Sequence, residues 1–473
     1  MKQELINELV AIVGREDVLT SRRDLLVYEY DSTPEAFPPE VVVFPSSTDE
    51  AAAVIKLAHR EGIPLVPRGA GTNLSGGTLA LKGGIVMVCT RMKRVLEVDT
   101  ADERVVVQPG VVNLELQNLL APLGYLYAPD PASQKVSTLG GNIGENSGGP
   151  HCLKYGVTTN HVYGLEVVLP SGEVIHTGGA VEDTPGYDLT GIMVGSEGTL
   201  GVVTSMTLRL MRLPEAIKTM VAVFETLEDS GSAVSDIIAQ GIIPATLEIM
   251  DKTVTGAVEA STHAGYPLDA EGVLIIELDG LKDGQDRQAE RIVELCRKNN
   301  VREIRVAKDE AERNLLWAGR RGAFGAIARL SQSYSVQDGT VPRTKLAETL
   351  HKVSEIATRY NVRVGSVAHA GDGNLHPLIL LDPRDREEVE RVHKAGKEML
   401  KLCVTMGGTL TGEHGVGIEK QDSMRLLFGD AELETMARIK KAFDPQNLLN
   451  PNKILPLNGE GRDEGSPLPL GEG

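Results

Sequence analysis

His369-Ala-Gly-Asp-Gly-Asn-Leu-His376 is the stretch whose residue types and spacing can do chemistry. Asp372-Gly373 favours a two-residue type I′ turn, because both central positions of that turn need φ > 0. A turn centred there pairs Gly371 with Asn374, Ala370 with Leu375 and His369 with His376. Directly opposed residues on antiparallel strands have Cβ atoms about 4.5–5.5 Å apart, so two imidazoles at these positions can grip one metal ion. A second cluster, Gly412-Glu413-His414-Gly415, can add a carboxylate and a base. The competing reading is an ordinary pair of strand histidines on a solvent-facing hairpin. The second cluster, together with the glycine-rich segments described next, weighs against it.

Three segments poor in side chains would have to position a ligand near these groups. Arg68-Gly-Ala-Gly-Thr-Asn-Leu-Ser-Gly-Gly77 follows a β-α-β pattern: strand 41–44, helix 49–60 with candidate N-caps at 46–50, and strand 63–67. Its glycines let backbone approach a ligand closely, and successive N–H groups there can form an anion nest suited to a pyrophosphate. It is not the dinucleotide fingerprint, since Leu74 stands where the third glycine would fall. The second segment is Gly140-Gly-Asn-Ile-Gly-Glu-Asn-Ser-Gly-Gly149, preceded by Pro129-Asp-Pro-Ala-Ser133. It is too long for a turn and too poor in apolar residues for a core, which suits a large planar ligand lying against bare backbone. The third is Gly195-Ser-Glu-Gly-Thr-Leu-Gly-Val-Val203.

The totals bound the rest. With 473 residues, 41% hydrophobic and 24% charged, the chain has the composition of a globular protein of two or three domains. A formal net charge of -18 argues against nucleic acid and anionic membrane surfaces, both of which need basic patches. Cys89, Cys152, Cys296 and Cys403 are scattered, so the chain encodes no zinc knuckle and no iron–sulfur cluster, and so few cysteines suit a reducing compartment. The N-terminus reads as an amphipathic helix rather than a signal peptide, and no apolar run approaches the roughly 20 residues that span a bilayer. These readings predict a cytoplasmic protein without a transmembrane segment.

Residues 67–77, 129–149 and 195–203 together resemble the flavin-binding domain of the vanillyl-alcohol oxidase type. The C-terminal half resembles the FAD-linked oxidase C-terminal domain of D-2-hydroxyacid dehydrogenases, the group that oxidises glycolate and D-lactate. That resemblance rests on Trp317–Phe324, Asp338-Gly-Thr-Val-Pro-Arg343, His369–His376, Gly412–Gly417 and Asp444–Lys453, in that order. It implies an α+β protein, with an FAD-binding domain over 1–215 and a ferredoxin-like α+β cap over 216–415. The expected remainder is C-terminal helices over 416–456 and a disordered tail over 457–473.

The resemblance implies that Arg68, Gly69, Ala70, Gly71, Thr72, Asn73 and Gly76 cradle the pyrophosphate of FAD. Pro129, Asp130, Ser133, Gly140, Gly141, Asn146, Ser147 and Gly148 would line its rings, with Glu197, Gly198, Gly201, Val202, Val203 and Asn450. Many relatives attach FAD through a His in the first loop; Thr72-Asn73 here implies non-covalent FAD. His151 and Cys152 could lie near the ring, and ordinary loop residues are the competing reading.

The resemblance further implies that His369, His376 and Glu413 bind a divalent metal, with His414 as base. Zinc, iron(II) and manganese all suit that set. Arg320 is the candidate clamp for a substrate carboxylate, with Arg321 the fallback, because guanidinium binds carboxylate bidentately. Val336 stands where relatives acting on 2-hydroxyglutarate carry Lys, which points to a substrate with one carboxylate.

The expected reaction is oxidation of a small 2-hydroxy acid, D-lactate or glycolate. Hydride would go to flavin N5, and electrons onward to an iron–sulfur subunit or an electron-transfer flavoprotein. An FAD-dependent alkyl-transfer enzyme and a non-catalytic FAD-binding companion subunit are the alternatives.

Overall fold

A computed structural model of the chain describes residues 1–182 and 185–456. The expected tail over 457–473 lies outside the described residues. The chain divides into two compact units. One comprises residues 1–148, 157–212 and the chain from 413 onward; the other comprises 149–156 and 213–412. The expected boundaries near 215 and 415 fall at 212–213 and 412–413, and residues 149–156 also group with the second unit.

In the first unit the run Val41–Val43 is buried throughout and forms the strand that the apolar pattern predicts. Helix Thr48–Glu61 starts where Ser47 accepts from the Glu50 N–H and stops at Gly62, whose φ of 64° an L side chain rarely adopts. Strands Val41–Val43 and Leu65–Arg68 flank Ile85–Val88 in parallel, and Val18–Leu19 adds an antiparallel edge. The helix read at the N-terminus is Gln3–Val13, and the residues after it up to 35 are helical only in part. A second sheet is antiparallel throughout, in the order 95–99, 104–107, 202–209, 162–168, 174–178.

The second unit is built on one eight-stranded antiparallel sheet. Strands 216–224, 246–251, 272–280 and 303–306 lie in the spatial order 4-1-3-2, which is ferredoxin-like. The sheet continues through 363–369, 374–381 and 333–336, the order 2-3-1 of a second, incomplete copy of that pattern. Period-two alternation puts apolar residues on both faces. Met220, Ala222, Phe224, Leu274 and Ile276 face one layer, which packs helices Leu227–Ala239, Gln285–Lys298 and Leu346–Tyr360. Val221, Val223, Val273, Ile275, Val367 and Leu378 face the other, covered by helices Lys252–Thr262, Glu310–Arg321 and Ala323–Ile327. The motif Trp317–Phe324 spans two helices that meet at Gly322, which ends one and starts the next. No described helix is long and apolar enough to cross a membrane.

Ile249 sits at 0% exposure in a central strand. Ile249→Ala should cost about 2–5 kcal/mol, the range for large-to-small core changes. A urea melt read by far-UV circular dichroism checks this as a lowered midpoint.

Candidate active site

The second face of the large sheet is apolar along most of its length and polar at one end. Register places Thr219 opposite Glu277 and Glu277 opposite Thr246, then Glu248 opposite His369. His376 lies opposite Val367, two residues from His369 and on the same face. This corrects the expected hairpin. The strands pair Ala368 with Leu375 and His369 with Asn374, so the connection is the four residues 370–373. Of the Asp372-Gly373 pair only Gly373 takes positive φ, +83°, so the type I′ turn does not form. The histidines are diagonal neighbours instead, with ring centroids 5.1 Å apart and planes at 84°. The slip is even in side-chain parity, so both imidazoles stay on one face.

Each imidazole has a carboxylate behind it. His369 Nδ1 lies 2.7 Å from Glu248 Oε1, and Glu248 is 0% exposed. His376 Nδ1 lies 3.9 Å from Asp338 Oδ1. Glu248 also meets Arg320, with Nη2 2.5 Å from Oε2, and accepts from the Thr246 hydroxyl at 3.2 Å. Burial raises the Glu248 pKa, but Arg320 and then His369 outweigh it, and the group lies below its ordinary value. Asp338 accepts from the Thr411 hydroxyl at 2.5 Å and from the Gly412 N–H at 3.0 Å. That bond fixes the residue immediately before Glu413. A Cβ on Gly412 would lie 2.4 Å from Asn374 Nδ2, so the position requires glycine.

Arg320 therefore meets a carboxylate, but one belonging to its own chain. Its Nε has no hydrogen-bond partner among the described residues, although the residue is only 2% exposed. A buried donor left over in this way calls for an acceptor that the protein does not supply. Arg321 is exposed and lies over the Trp317 ring at 5.0 Å. One helical turn before Arg320, Trp317 donates from Nε1 to Glu277 at 2.7 Å, beside the Thr219 hydroxyl at 2.5 Å. His151 stacks on Trp317, centroids 5.7 Å apart, with Nε2 3.5 Å from Glu277. His151 thus belongs with this network in the second unit, where Tyr155 and Lys154 also bond Asp279.

The first unit holds the flavin-type loops. Asn73 Oδ1 accepts from Ser75 N at 2.8 Å and Gly77 N at 2.7 Å, pinning the first loop, while Gly71 and Gly76 take φ of +75° and +76°. Gly69 abuts Thr138, whose hydroxyl would lie 2.3 Å from a Cβ there. Thr138 caps a short helix, Leu139–Glu145, that occupies most of the second segment. Asn146 ends it at φ 53°, a conformation Asn tolerates. Ser137 Oγ is buried with no partner among the described residues. Bare backbone and a spare buried hydroxyl fit a bound FAD.

Glu197, expected at the cofactor, spends its carboxylate on the chain, accepting from Val416 N at 2.7 Å and Gly417 N at 2.8 Å. Asn450 does likewise, donating to the carbonyls of Gly77 and Glu197 at 2.8 Å each. The Ser75 hydroxyl donates to the His414 carbonyl at 3.1 Å, so the loop that carries His414 is seated on the first glycine segment. Lys453 Nζ donates to the carbonyls of Gly76, Gly77 and Leu79 at 2.7, 3.2 and 2.9 Å, and burial pulls its pKa down to about 8. Desolvation, and then the Glu197 carboxylate, push the Glu145 carboxyl well above its usual range. Glu413 and His414 open the last segment of this unit, directly after Gly412.

Glu248, Glu277 and Asp338 carry the second-unit site, and sequence reasoning gave none of them a role. The available signal was an acidic residue inside an apolar run, Leu247-Glu248-Ile249-Met250 and Ile276-Glu277-Leu278.

Loops of this kind beside an antiparallel α+β unit define an FAD-linked oxidoreductase. Residues 39–178 match the model for the FAD binding domain, and residues 213–454 match that for FAD linked oxidases, C-terminal domain. The chain is 43% identical over 441 residues to glycolate oxidase subunit GlcD of Escherichia coli K12, covering 93% of this chain and 88% of that one. It is 42% identical to the Bacillus subtilis subunit of the same name, covering 96% and 97%. D-lactate dehydrogenase of Anaerostipes hadrus is 35% identical, covering 88% and 89%. The chain belongs to the FAD-linked oxidase family. Its fold is shared with p-cresol methylhydroxylase (TM-score 0.81, 18% identity, covering 97% and 98%) and alkyldihydroxyacetonephosphate synthase (TM-score 0.75, 20% identity, covering 96% and 85%).

Lys453→Met removes a charged donor from three loop carbonyls, at about 1.5–3 kcal/mol for hydrogen bonds to a charged group. FAD affinity should fall at least about tenfold, since 1.4 kcal/mol is a factor of ten. Titrating the stripped protein with FAD and following flavin fluorescence measures it.

Proposed function

We propose that this protein oxidises a small D-2-hydroxy acid, glycolate or D-lactate, to the 2-oxo acid. The observation that carries the reading is the buried Arg320, with an unmet Nε–H, on the same sheet face as the His369–His376 pair. An oxygen of a monocarboxylate would accept from that Nε–H, a charge-assisted bond. The names of the relatives at 35–43% identity support the substrate class.

FAD, bound non-covalently, supplies the acceptor for the hydride that leaves the substrate Cα. A divalent metal (zinc, iron(II) or manganese) held by His369, His376 and Glu413 supplies Lewis acidity to the substrate hydroxyl. The donor set fits such an ion: Glu248 engages Nδ1 of His369, which leaves Nε2 as the ligand atom. Arg320 orients the carboxylate, and His414 accepts the hydroxyl proton, a role suited to an imidazole near neutral pH. The segment 412–417 is anchored at Gly412 by Asp338 and at Val416 and Gly417 by Glu197, which supports fixed positions for Glu413 and His414.

Electrons then pass to a protein partner, an iron–sulfur subunit or an electron-transfer flavoprotein; the word "subunit" in the relatives' names supports an assembly. The sparse cysteines support the cytoplasm as its place.

The test is flavin absorbance, followed anaerobically as D-lactate, L-lactate and glycolate are added in turn. Bleaching by D-lactate or glycolate, abolished by a chelator and restored by metal, is expected. A spectrum that stays oxidised with every acid in metal-replete protein would overturn the reading and favour alkyl transfer or a companion subunit. His414→Ala should keep FAD but slow flavin reduction by about 10²–10⁴-fold, the usual worth of a general base. Arg320→Lys should raise KM for the acid by about tenfold or more through loss of the Nε–H donor, as steady-state kinetics with an artificial acceptor would show.

A further inference from the structure

We infer that Glu248 is a positioning residue that couples metal retention to recognition of the substrate carboxylate. This rests on the proposed reading of the site. The two oxygens of Glu248 have different partners: Oε1 faces His369 Nδ1 at 2.7 Å, and Oε2 faces Arg320 Nη2 at 2.5 Å. One partner is a hydrogen-bond donor and the other a cation, so a negatively charged carboxylate, which only accepts, suits both at once. The bond to His369 places that ring's proton on Nδ1 and leaves Nε2 unprotonated, the form that binds a metal. The ion pair turns one edge of the guanidinium toward the sheet and leaves Nε for another acceptor. The Thr246 hydroxyl, 3.2 Å from Oε1, holds the carboxylate itself in place. All of these groups are buried in the second unit: Glu248 and Thr246 are 0% exposed, Arg320 2% and His369 6%.

Glutamine in place of Glu248 has the same shape but one acceptor and one donor end. Whichever way its amide turns, an N–H faces either His369 Nδ1–H or an Arg320 N–H. The variant therefore loses one partner outright and loosens the other.

The test compares wild type with Glu248→Gln, each as FAD-loaded full-length protein. Two quantities are read: zinc or manganese retained during dialysis against graded chelator, and KM and kcat for D-lactate. In Glu248→Gln we expect metal affinity to fall 10–100-fold, the range for loss of such a supporting group, and KM to rise at least about tenfold. FAD content and the flavin spectrum should stay as in wild type. Arg320→Lys, which leaves the Glu248–His369 bond, should raise KM without changing metal retention. Should Glu248→Gln fail to fold, Glu248→Asp carries the same expectation, because its shorter stem cannot reach both partners. Wild-type metal affinity in an FAD-loaded Glu248 variant would overturn the inference and leave Glu248 as a structural ion pair. A wild-type protein that takes up neither metal would overturn the metal reading of the site itself, and the inference with it.

Discussion

A carboxylate with no access to water is expensive, costing several kcal/mol even after the protein relaxes around it, unless charge and hydrogen bonds compensate. Glu248 is such a group, and the polar end of the large sheet is arranged around its compensation. Arg320 supplies the charge, and His369 and Thr246 supply the bonds. Each requirement then fixes an element. Strand 363–369 has to pair with strand 246–251 in the register that sets His369 against Glu248. Helix Glu310–Arg321 has to lie so that its last turn points Arg320 at the sheet. Trp317, one turn earlier, meets Glu277 in the same manner. The sheet presents acceptors and the helix presents donors, twice, one turn apart. A rotation of the helix would break both pairs together, so the two buried carboxylates set its angle more narrowly than the apolar contacts of Leu316 alone would.

The first unit solves a different problem. A loop in which four residues of ten are glycine has little with which to hold its own shape. Asn73 holds two of its N–H groups from within, and side chains from elsewhere in the unit hold the backbone at and around its end: Lys453 on the carbonyls of Gly76, Gly77 and Leu79, Asn450 on those of Gly77 and Glu197, and Glu197 on two N–H groups of the returning segment. Asn450 and Lys453, near the end of the described chain, therefore shape the glycine segments from far away in sequence. Chain connectivity adds a consequence. Asp338 anchors Gly412, Glu197 anchors Val416, and only Glu413, His414 and Gly415 lie between.

Local patterns made much of this legible. The apolar run at 41–43, the N-cap at Ser47 and the stop at Gly62 mark a β-α-β unit without help from tertiary structure. The glycine segments and the two histidines announce themselves by type. The hairpin register was not legible, because Asp-Gly favours a tight turn intrinsically while the wider connection is set by strand pairing further along, and pairing prevails. Glu248 and Glu277 stayed unread for a related reason. A lone acid in an apolar strand has meaning only through its cross-strand and helix partners, and Arg320 lies 72 residues away from Glu248 in sequence. The helix over 139–145 was hidden by its own glycines, which depress helix propensity and yield here to the Thr138 cap and packing of Leu139 and Ile143.

The same scaffold serves p-cresol methylhydroxylase and alkyldihydroxyacetonephosphate synthase at 18–20% identity, so the fold by itself decides no substrate. On the proposed reading, the decision lies in how one face of the sheet is divided. Val221, Val223, Val273, Ile275 and Leu378 occupy its apolar length and set stability. Thr219, Thr246, Glu248, Glu277, His369 and His376 occupy its polar end, at the same parity on the same strands. Because side chains alternate strictly along a strand, the polar residues can change in type without disturbing the packing on the opposite face or the apolar length beside them. Chemistry and stability are thereby written on separate stretches of shared strands. A change of substrate in this architecture needs substitutions only where the face is already polar, and each must leave every buried charge with a partner. Arg320 shows the limit that this sets: it can turn toward a ligand only with the donors that Glu248 leaves over.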